Sequence, residues 1–360
     1  MNDKLTSAVL VAGMAMVLAG PAAADRGDVV RTKREPRQVI THFFRSGQGL
    51  KNLQTVIGTS QHYSIGDGDT FLELARRFDL GYNELVNANP GVDPWVPERG
   101  QSLVLPTEWI LPRTDHEGLV LNIPEMRFYY YMPSPRPGGR SSMVLSYPVG
   151  LGRRDWQNPQ AEFKIRGKTE DPAWVVPESI RRERRRELGR NDRLIKGGDP
   201  DNPLGSHRIE LTLPAYSIHG TNKDWGIGMQ VSRGCVRMYA EDIEAFFPIV
   251  EVGQKGRFVY QPVKMGMRGG RVFVEVHADI YGVVPWPWLL AQELVEEMGL
   301  ERYVDRQRLE AVVEAASGIP TDVSYVNWPA EPISAPIEFD ERGDPVGDYP
   351  PVPVPVPVPG

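Results

Sequence analysis

Cysteine is almost absent from this sequence, which has 360 residues and one cysteine, Cys235. A single thiol excludes a disulfide framework and any metal site that is built from several cysteines. A surplus of positive charge is also absent, since 41 basic and 47 acidic residues give a formal net charge of −6. The chain therefore lacks the basic character of nucleic-acid-binding proteins. We predict no metal, no cofactor and no nucleic-acid partner.

Long apolar runs are scarce, and the clearest one lies at the N-terminus. Lys4 precedes an uncharged apolar run over residues 8–19, and three alanines at 22–24 follow it. This layout is typical of a secretory signal peptide over residues 1–24, cleaved before Asp25. The run is shorter than the roughly 20 residues that a membrane span needs. The sequence thus predicts an exported, periplasmic protein with no transmembrane segment in its mature form.

Regular hydrophobic spacing is missing from residues 25–61, which we interpret as a polar, irregular lead-in. Residues 62–107 are different, because a short strand, two helices and a second strand are predicted there in that order. The first helix is capped by Asp69 or Thr70 and has apolar residues at the i, i+3, i+4 and i+7 positions, namely Phe71, Leu74, Ala75 and Phe78. We predict a small βααβ domain with its own core, separable from the rest of the chain.

The rest of the chain is divided by changes of pattern. Residues 117–262 contain short β-rich runs between glycine and proline turns, which predict a mainly β sandwich or barrel. Residues 263–318 predict a strand followed by two helices, the second capped by Asp305. Residues 319–360 end in a Val-Pro repeat, which favours polyproline II and cannot bury a core, so we interpret them as a tail.

The lone cysteine lies in a distinctive stretch. Gly234 precedes Cys235 and allows a substrate to approach the sulfur closely, while Arg233 and Arg237 favour the reactive thiolate. His219 lies upstream at the end of an apolar strand and is a candidate base for the thiol. A cysteine and a histidine alone form a weak signal, because a solitary cysteine is more often a small buried apolar residue.

The complete pattern resembles a known family. It reads Ile218-His219-Gly220-Thr221-Asn222, then Gly226-Ile227-Gly228, then Val231-Ser232-Arg233-Gly234-Cys235-Val236-Arg237-Met238. This resembles the signature of the L,D-transpeptidases with a YkuD-type catalytic domain (ErfK/YbiS/YcfS/YnhG-like), and the resemblance extends over about residues 117–280. It implies a β-sandwich catalytic domain. Arg233 departs from the pattern, since many members have histidine there.

The resemblance implies a two-step acyl transfer on peptidoglycan. Cys235 would attack the carbonyl between diaminopimelate and D-Ala of a tetrapeptide stem, with His219 as the base. The acceptor would be the amine of another stem, which gives a 3–3 cross-link, or of a wall-attached lipoprotein; water as acceptor would make the protein an L,D-carboxypeptidase.

The resemblance also implies roles for the neighbours of these two residues. The Gly220 carbonyl would orient His219, and the amides of Gly234 and Cys235 would form the oxyanion hole. Arg237 would bind a substrate carboxylate or, alternatively, form a structural ion pair. Ser232 would shape the substrate-binding loop, to which Arg233 also belongs.

Residues 62–107 resemble a second family, the LysM domain. The resemblance rests on spaced residues that include Tyr63, Gly68-Asp69-Thr70-Phe71, Asn89-Pro90 and Leu103. LysM domains bind N-acetylglucosamine-containing glycans, so the resemblance implies that this unit anchors the protein to the wall. The alternative to an L,D-transpeptidase is a non-catalytic wall-binding protein.

Two other features of the sequence have simpler interpretations. The arginine run 181–190 is a solvated helix face or attracts acidic stem peptides, and His277 is a structural or surface residue.

Overall fold

The structure is a computed structural model that describes residues 41–45, 53–134 and 142–325. All of these residues belong to one compact unit. The predicted signal peptide and residues 326–360 of the predicted tail lie outside the described residues. Within the described ranges, no helix is both long enough and apolar enough to cross a membrane.

The N-terminal region contains two helices and five short strands. They are β1 (Thr41–Phe43), β2 (Val56–Gly58), β3 (Gln61–Ser64), α1 (Phe71–Arg77), α2 (Tyr82–Ala88), β4 (Ser102–Leu105) and β5 (Glu108–Ile110). β3 pairs with β4, so residues 61–105 form a βααβ unit. Thr70 caps α1 by accepting a hydrogen bond from the Glu73 amide, as the sequence predicts.

The middle of the chain is rich in β structure. Its elements are β6 (Gly118–Asn122), β7 (Arg127–Tyr131), β8 (Met143–Pro148), β9 (Leu151–Gly152), β10 (Ala161–Glu170), β11 (Trp174–Val175), α3 (Glu178–Leu188), β12 (Leu194–Ile195), β13 (His207–Leu211), β14 (Ser217–His219), β15 (Gln230–Ser232), β16 (Val236–Arg237), α4 (Ala240–Phe246) and β17 (Lys255–Val259). The C-terminal region comprises β18 (Val263–Arg268), β19 (Arg271–Val276), α5 (Pro287–Glu297), α6 (Arg306–Ala315) and β20 (Thr321–Asp322).

Among the described residues, nine strands form one main sheet in the order β1-β8-β7-β6-β17-β10-β13-β14-β16. The long strand β10 joins its two halves, because residues 161–164 pair with β17 and residues 165–170 pair with β13. The register shifts between Ile165 and Gly167, and a bulge of this kind bends a strand. The mainly β prediction is confirmed, while the finer prediction of a two-sheet sandwich stays a prediction.

Both faces of the main sheet are covered, which explains why β7 and β8 are buried along their whole length. Side chains alternate between the faces of a strand. On one face Leu121 and Phe128 pack with Phe246 of α4. On the other face Val120 and Tyr129 share a cluster with apolar residues of the βααβ unit and its flanks, including Leu74, Leu85 and Trp109.

The βααβ unit does not enclose a core of its own, although its sequence predicts one. Its buried residues belong to a core that the main sheet completes. Glu84 of α2 forms a buried ion pair with Arg127 of β7 at 2.8 Å, and the Arg127 guanidinium lies 4.0 Å from the Trp109 ring centroid. Arg76 of α1 also pairs with Glu241 of α4 at 2.7 Å.

Two boundary predictions need correction. Residues 25–61 are not irregular throughout, because β1 pairs with β8 and β2 pairs with β5. The tail does not begin at residue 319, because β20 pairs with β19 and Val323 is buried in the C-terminal core. In both places two or three residues become a strand through a partner distant in sequence, which local patterns do not reveal.

Candidate active site

Two adjacent parallel strands, β14 and β16, bring the predicted base and nucleophile together. Ile218 pairs with Val236, and His219 pairs with Arg237. Cys235 directly precedes β16 and is partly exposed, and its Sγ lies 3.5 Å from the Ser217 Oγ at the start of β14. Because side chains alternate along a strand, Ser217 and His219 lie on the same face. No hydrogen bond joins His219 and Cys235 in this structure.

His219 is held as a neutral imidazole. Its side chain is 3% exposed, and its Nδ1 lies 2.6 Å from the Gly220 carbonyl oxygen. A carbonyl only accepts hydrogen bonds, so Nδ1 carries the proton and Nε2 keeps its lone pair. Burial lowers the pKa of His219 to about 3, and the nearby Arg237 guanidinium acts in the same direction. His219 is therefore uncharged near neutral pH, and its Nε2 lone pair is available to a neighbouring group.

Arg237 is a half-buried cation without an ion-pair partner among the described residues. Its Nε is buried and makes no hydrogen bond. Burial lowers the pKa of this guanidinium, and a negative charge on Cys235 would act in the opposite direction. The structural ion pair that the sequence left open for Arg237 is thus not observed within the described ranges. A guanidinium in this state is suited to bind an incoming carboxylate.

The turn around the cysteine is held by Ser232. The Ser232 Oγ donates a hydrogen bond to the Cys235 carbonyl at 2.6 Å and accepts one from the Gly234 N–H at 3.1 Å. The Gly234 amide, a predicted oxyanion donor, is thus already engaged. The Cys235 amide has no hydrogen-bond partner within the part of the chain that the structure describes.

The sequence of this region is similar to those of known proteins. Residues 117–265 match the family model of the L,D-transpeptidase catalytic domain. "Probable L,D-transpeptidase YcfS" of Escherichia coli (strain K12) is 34% identical over 73% of this chain and 82% of its own length. The chain belongs to the L,D-transpeptidase family. "Probable L,D-transpeptidase YbiS" of the same strain is also 34% identical, over 74% of this chain and 87% of its own length.

A solved L,D-transpeptidase from Mycobacterium smegmatis aligns with a TM-score of 0.29 and 18% identity, over 44% of this chain and 63% of that one. The family assignment rests on the sequence relatives. As a member of this family the protein is an L,D-transpeptidase enzyme.

Arg233, the departure from the family signature of this L,D-transpeptidase, is bound to α3. Its guanidinium donates to the Ser179 Oγ at 3.1 Å and to the Glu183 carboxylate at 2.5 Å. Both partners lie on α3, which is formed by the arginine run. Arg233 therefore connects the cysteine turn to α3 and has its charge balanced there.

Two residues beside the cysteine were missed by the sequence analysis. Ser217 could have been found, because it lies two positions before His219 and so shares its strand face. Asn158 could not have been found from the sequence, because it lies in a loop with no periodicity. Its Nδ2 donates a 2.7 Å hydrogen bond to the Gly234 carbonyl, 76 positions away in sequence.

A second buried polar cluster lies away from the cysteine. Glu125, Glu275 and His277 offer three possible metal ligands close together. The Lys264 Nζ lies 2.8 Å from a carboxylate oxygen of each glutamate, and the His277 Nε2 lies 2.6 Å from Glu275. The lysine thus supplies the positive charge that the carboxylates need. His277 is structural and buried, and the cluster links the C-terminal strands to the main sheet.

Proposed function

We propose that this enzyme uses Cys235 to cleave the diaminopimelate–D-Ala bond of peptidoglycan tetrapeptide stems in the periplasm and transfers the acyl group to an amine. The observation that carries the proposal is Arg237, a guanidinium without an ion pair among the described residues, next to the cysteine and a neutral histidine. Stem peptides carry carboxylates, so this cation would hold the donor stem while its carbonyl faces the sulfur.

The first half-reaction forms a thioester. The Cys235 sulfur attacks the carbonyl carbon as its proton passes to the His219 Nε2, and a carbon–sulfur bond forms. The carbon–nitrogen bond then breaks, and His219 returns the proton to the leaving amine of D-Ala. The neutral state of His219 supports this role, because its Nδ1–H is bound to the Gly220 carbonyl and its Nε2 lone pair is free.

The second half-reaction regenerates the enzyme. The acceptor amine gives a proton to His219 and attacks the thioester carbon, which forms the new amide and releases the sulfur. His219 then returns the proton to Cys235. In each half-reaction a negative charge develops on the carbonyl oxygen, and the Cys235 amide is the donor we assign to it. One such donor contributes about 10²–10³ in rate.

We further propose that the βααβ unit is a LysM domain that binds glycan strands of the wall. Support comes from the sequence resemblance, from the strand–helix–helix–strand order and from Trp95, whose side chain is 60% exposed on a loop of this unit. Because the unit shares a core with the main sheet, a bound glycan strand would lie at a fixed distance from Cys235.

The proposal is tested by incubating the purified protein with disaccharide-tetrapeptides and analysing the products by mass spectrometry. Dimers that have lost one D-Ala are the expected result. Tripeptides alone would mean that water is the acceptor, which would replace the transferase assignment with a carboxypeptidase. Unchanged tetrapeptides would contradict both. Cys235→Ala is the control and should give no product.

A further inference from the structure

Asn158 follows β9 and is buried beside the cysteine turn, with 3% of its side chain exposed. Its Nδ2 donates to the Gly234 carbonyl at 2.7 Å, and its Oδ1 accepts from the Gly152 N–H at 2.9 Å. A carbonyl only accepts and an N–H only donates, so these two partners leave one orientation of the amide. Tyr281 donates to the Gly152 carbonyl at 2.8 Å and fixes the same loop.

The Gly234 carbonyl controls the direction of the Cys235 amide. The two groups belong to one trans peptide, in which C=O and N–H point to opposite sides of the chain. Asn158 holds the carbonyl on the inner side, so the Cys235 N–H must face the opposite side. Rotation of this peptide would leave a buried carbonyl without its hydrogen bond, which costs about 1–3 kcal/mol.

The local backbone does not impose this orientation by itself. Gly234 has a φ of +102°, a region that residues with a Cβ rarely adopt. A Cβ at this position would lie 3.0 Å from the Tyr216 ring, so a glycine is required there. Glycine leaves the adjoining peptide free to take several orientations. Ser232 binds the Gly234 N–H and the Cys235 carbonyl on either side of this peptide, and Asn158 binds the carbonyl of the peptide itself.

We infer that Asn158 is a positioning residue that directs the Cys235 amide toward the oxyanion of the acyl-transfer reaction. The inference rests on the proposed function, since it takes the Cys235 N–H as the oxyanion donor. The Gly234 N–H already donates to Ser232. The Cys235 N–H, whose direction Asn158 controls, is therefore the remaining donor of the turn.

Two reactions of Cys235 separate this role from a purely structural one. Acylation by a carbapenem passes through an oxyanion and needs the directed amide. Alkylation by iodoacetamide displaces iodide from a saturated carbon and develops no oxyanion, so it needs only the thiol. The variants are Asn158→Leu, which is similar in size and uncharged, and Asn158→Ala. Both remove the hydrogen bond to Gly234 without adding charge near the sulfur.

We expect the rate constant of carbapenem acylation to fall about 10²-fold in both variants while that of alkylation is unchanged. The ratio of the two rate constants is measured on the same sample, so any misfolded fraction affects both equally. The matched control is Asn122→Ala, which removes a buried amide that donates to the Gln261 carbonyl at 3.0 Å, away from the cysteine turn. Its ratio should equal that of the unsubstituted protein.

A parallel fall of both rate constants would overturn the inference, because Asn158 would then only keep the turn folded. Unchanged acylation in both variants would overturn it as well. Failure of the proposed function looks different: the unsubstituted protein itself would be alkylated at Cys235 but not acylated, whatever residue occupies position 158.

Discussion

At the scale of single residues, burial decides the charge state of His219. Its pKa of about 3 means that the imidazole is protonated only in strong acid. Lowering the pH from 8 to 5 therefore does not remove the proposed base, and we expect the rate of carbapenem acylation to show no loss with an apparent pKa near 6.5. In His219→Ala the thiol must ionise unaided, so the rate should rise with pH. Stopped-flow or mass-spectrometric rates across this range test both expectations, and an acid limb near 6.5 in the unsubstituted protein would contradict them.

Arg237 is the residue that we expect to bind the substrate carboxylate through its charge. Arg237→Gln should lower kcat/KM for tetrapeptide stems about 10–10²-fold, because a hydrogen bond to a charged group contributes about 1.5–3 kcal/mol. Alkylation of Cys235 should continue. The matched control is Arg166→Gln, which removes a more exposed guanidinium paired with Glu210 and should leave kcat/KM unchanged. Equal losses in the two variants would exclude a specific role for Arg237.

The position of Arg233 leads to a third expectation. Its guanidinium is paired with Glu183 on α3, which balances its charge, so its effect on the thiol should be weak. Arg233→His should therefore give a pH dependence of iodoacetamide alkylation that superimposes on that of the unsubstituted protein. A shift of the variant's curve to higher pH would show that the guanidinium stabilises the thiolate after all.

Some residues of the candidate site could be predicted from the sequence, and others could not. Cys235, His219 and Arg237 lie in two short segments whose spacing matches a family signature. The direction of Arg233 depends on Glu183 and could not be read from the segment itself. Asn158 reaches Gly234 only because the loop after β9 folds under the cysteine turn, and nothing in the local sequence encodes that contact.

At the scale of elements, the predictions that succeeded rest on local causes. The apolar spacing of α1 and its Thr70 cap act within one or two turns, so sequence alone locates the helix. The hairpin between β18 and β19 turns at the two glycines at 269–270, both of which have positive φ, and this too is a local cause. β1 and β2 are three residues each and lack such signals, because they are strands only through their pairing with β8 and β5.

The docking of α2 depends on two glycines that no hydrophobic pattern marks. The Tyr82 N–H at the start of α2 donates to the Ile227 carbonyl at 3.1 Å. A Cβ at Gly228 would lie 2.3 Å from the Gly81 Cα and 2.4 Å from the Tyr82 nitrogen. Glycine at these positions is therefore what allows the helix and the turn to touch.

Gly228→Ala should lower the free energy of unfolding by about 3 kcal/mol, the sum of a positive-φ penalty and a steric clash. Gly68→Ala is the matched control, because Gly68 has a similar φ of +77° but nothing within 4 Å of the added Cβ. It should cost only about 1 kcal/mol. Urea denaturation measures both values. Equal decreases in the free energy of unfolding would show that the close approach at Gly228 does not affect stability.

At the scale of the whole molecule, the covered faces of the main sheet make the three regions interdependent. The βααβ unit covers one face with Leu74 and Leu85, and α4 covers the other with Phe246. The C-terminal strands are attached through Lys264, which binds Glu125 next to β7 and Glu275 of β19. The sequence predicts these regions as modules, because contacts between regions produce no periodic pattern in any one of them.

Deleting residues 62–107 should therefore destroy the fold rather than only wall binding. The deletion exposes Val120 and Tyr129 to water and removes Glu84 from the buried Arg127, whose side chain is 1% exposed. Full burial of one large apolar side chain contributes about 1.5–3 kcal/mol, so exposing two of them removes a large part of the usual 5–15 kcal/mol of stability. We expect one cooperative thermal transition for the full chain and none for the deletion variant.

A milder change separates wall binding from folding in the same unit. Trp95→Ala alters an exposed loop residue, so it should leave the melting temperature and the acylation of Cys235 unchanged while it weakens sedimentation with insoluble peptidoglycan. The two variants together decide what the unit does. A deletion variant that melts cooperatively and is still acylated by a carbapenem would restore the modular interpretation. A Trp95→Ala variant that sediments as fully as the unsubstituted protein would show that this loop does not contact the wall.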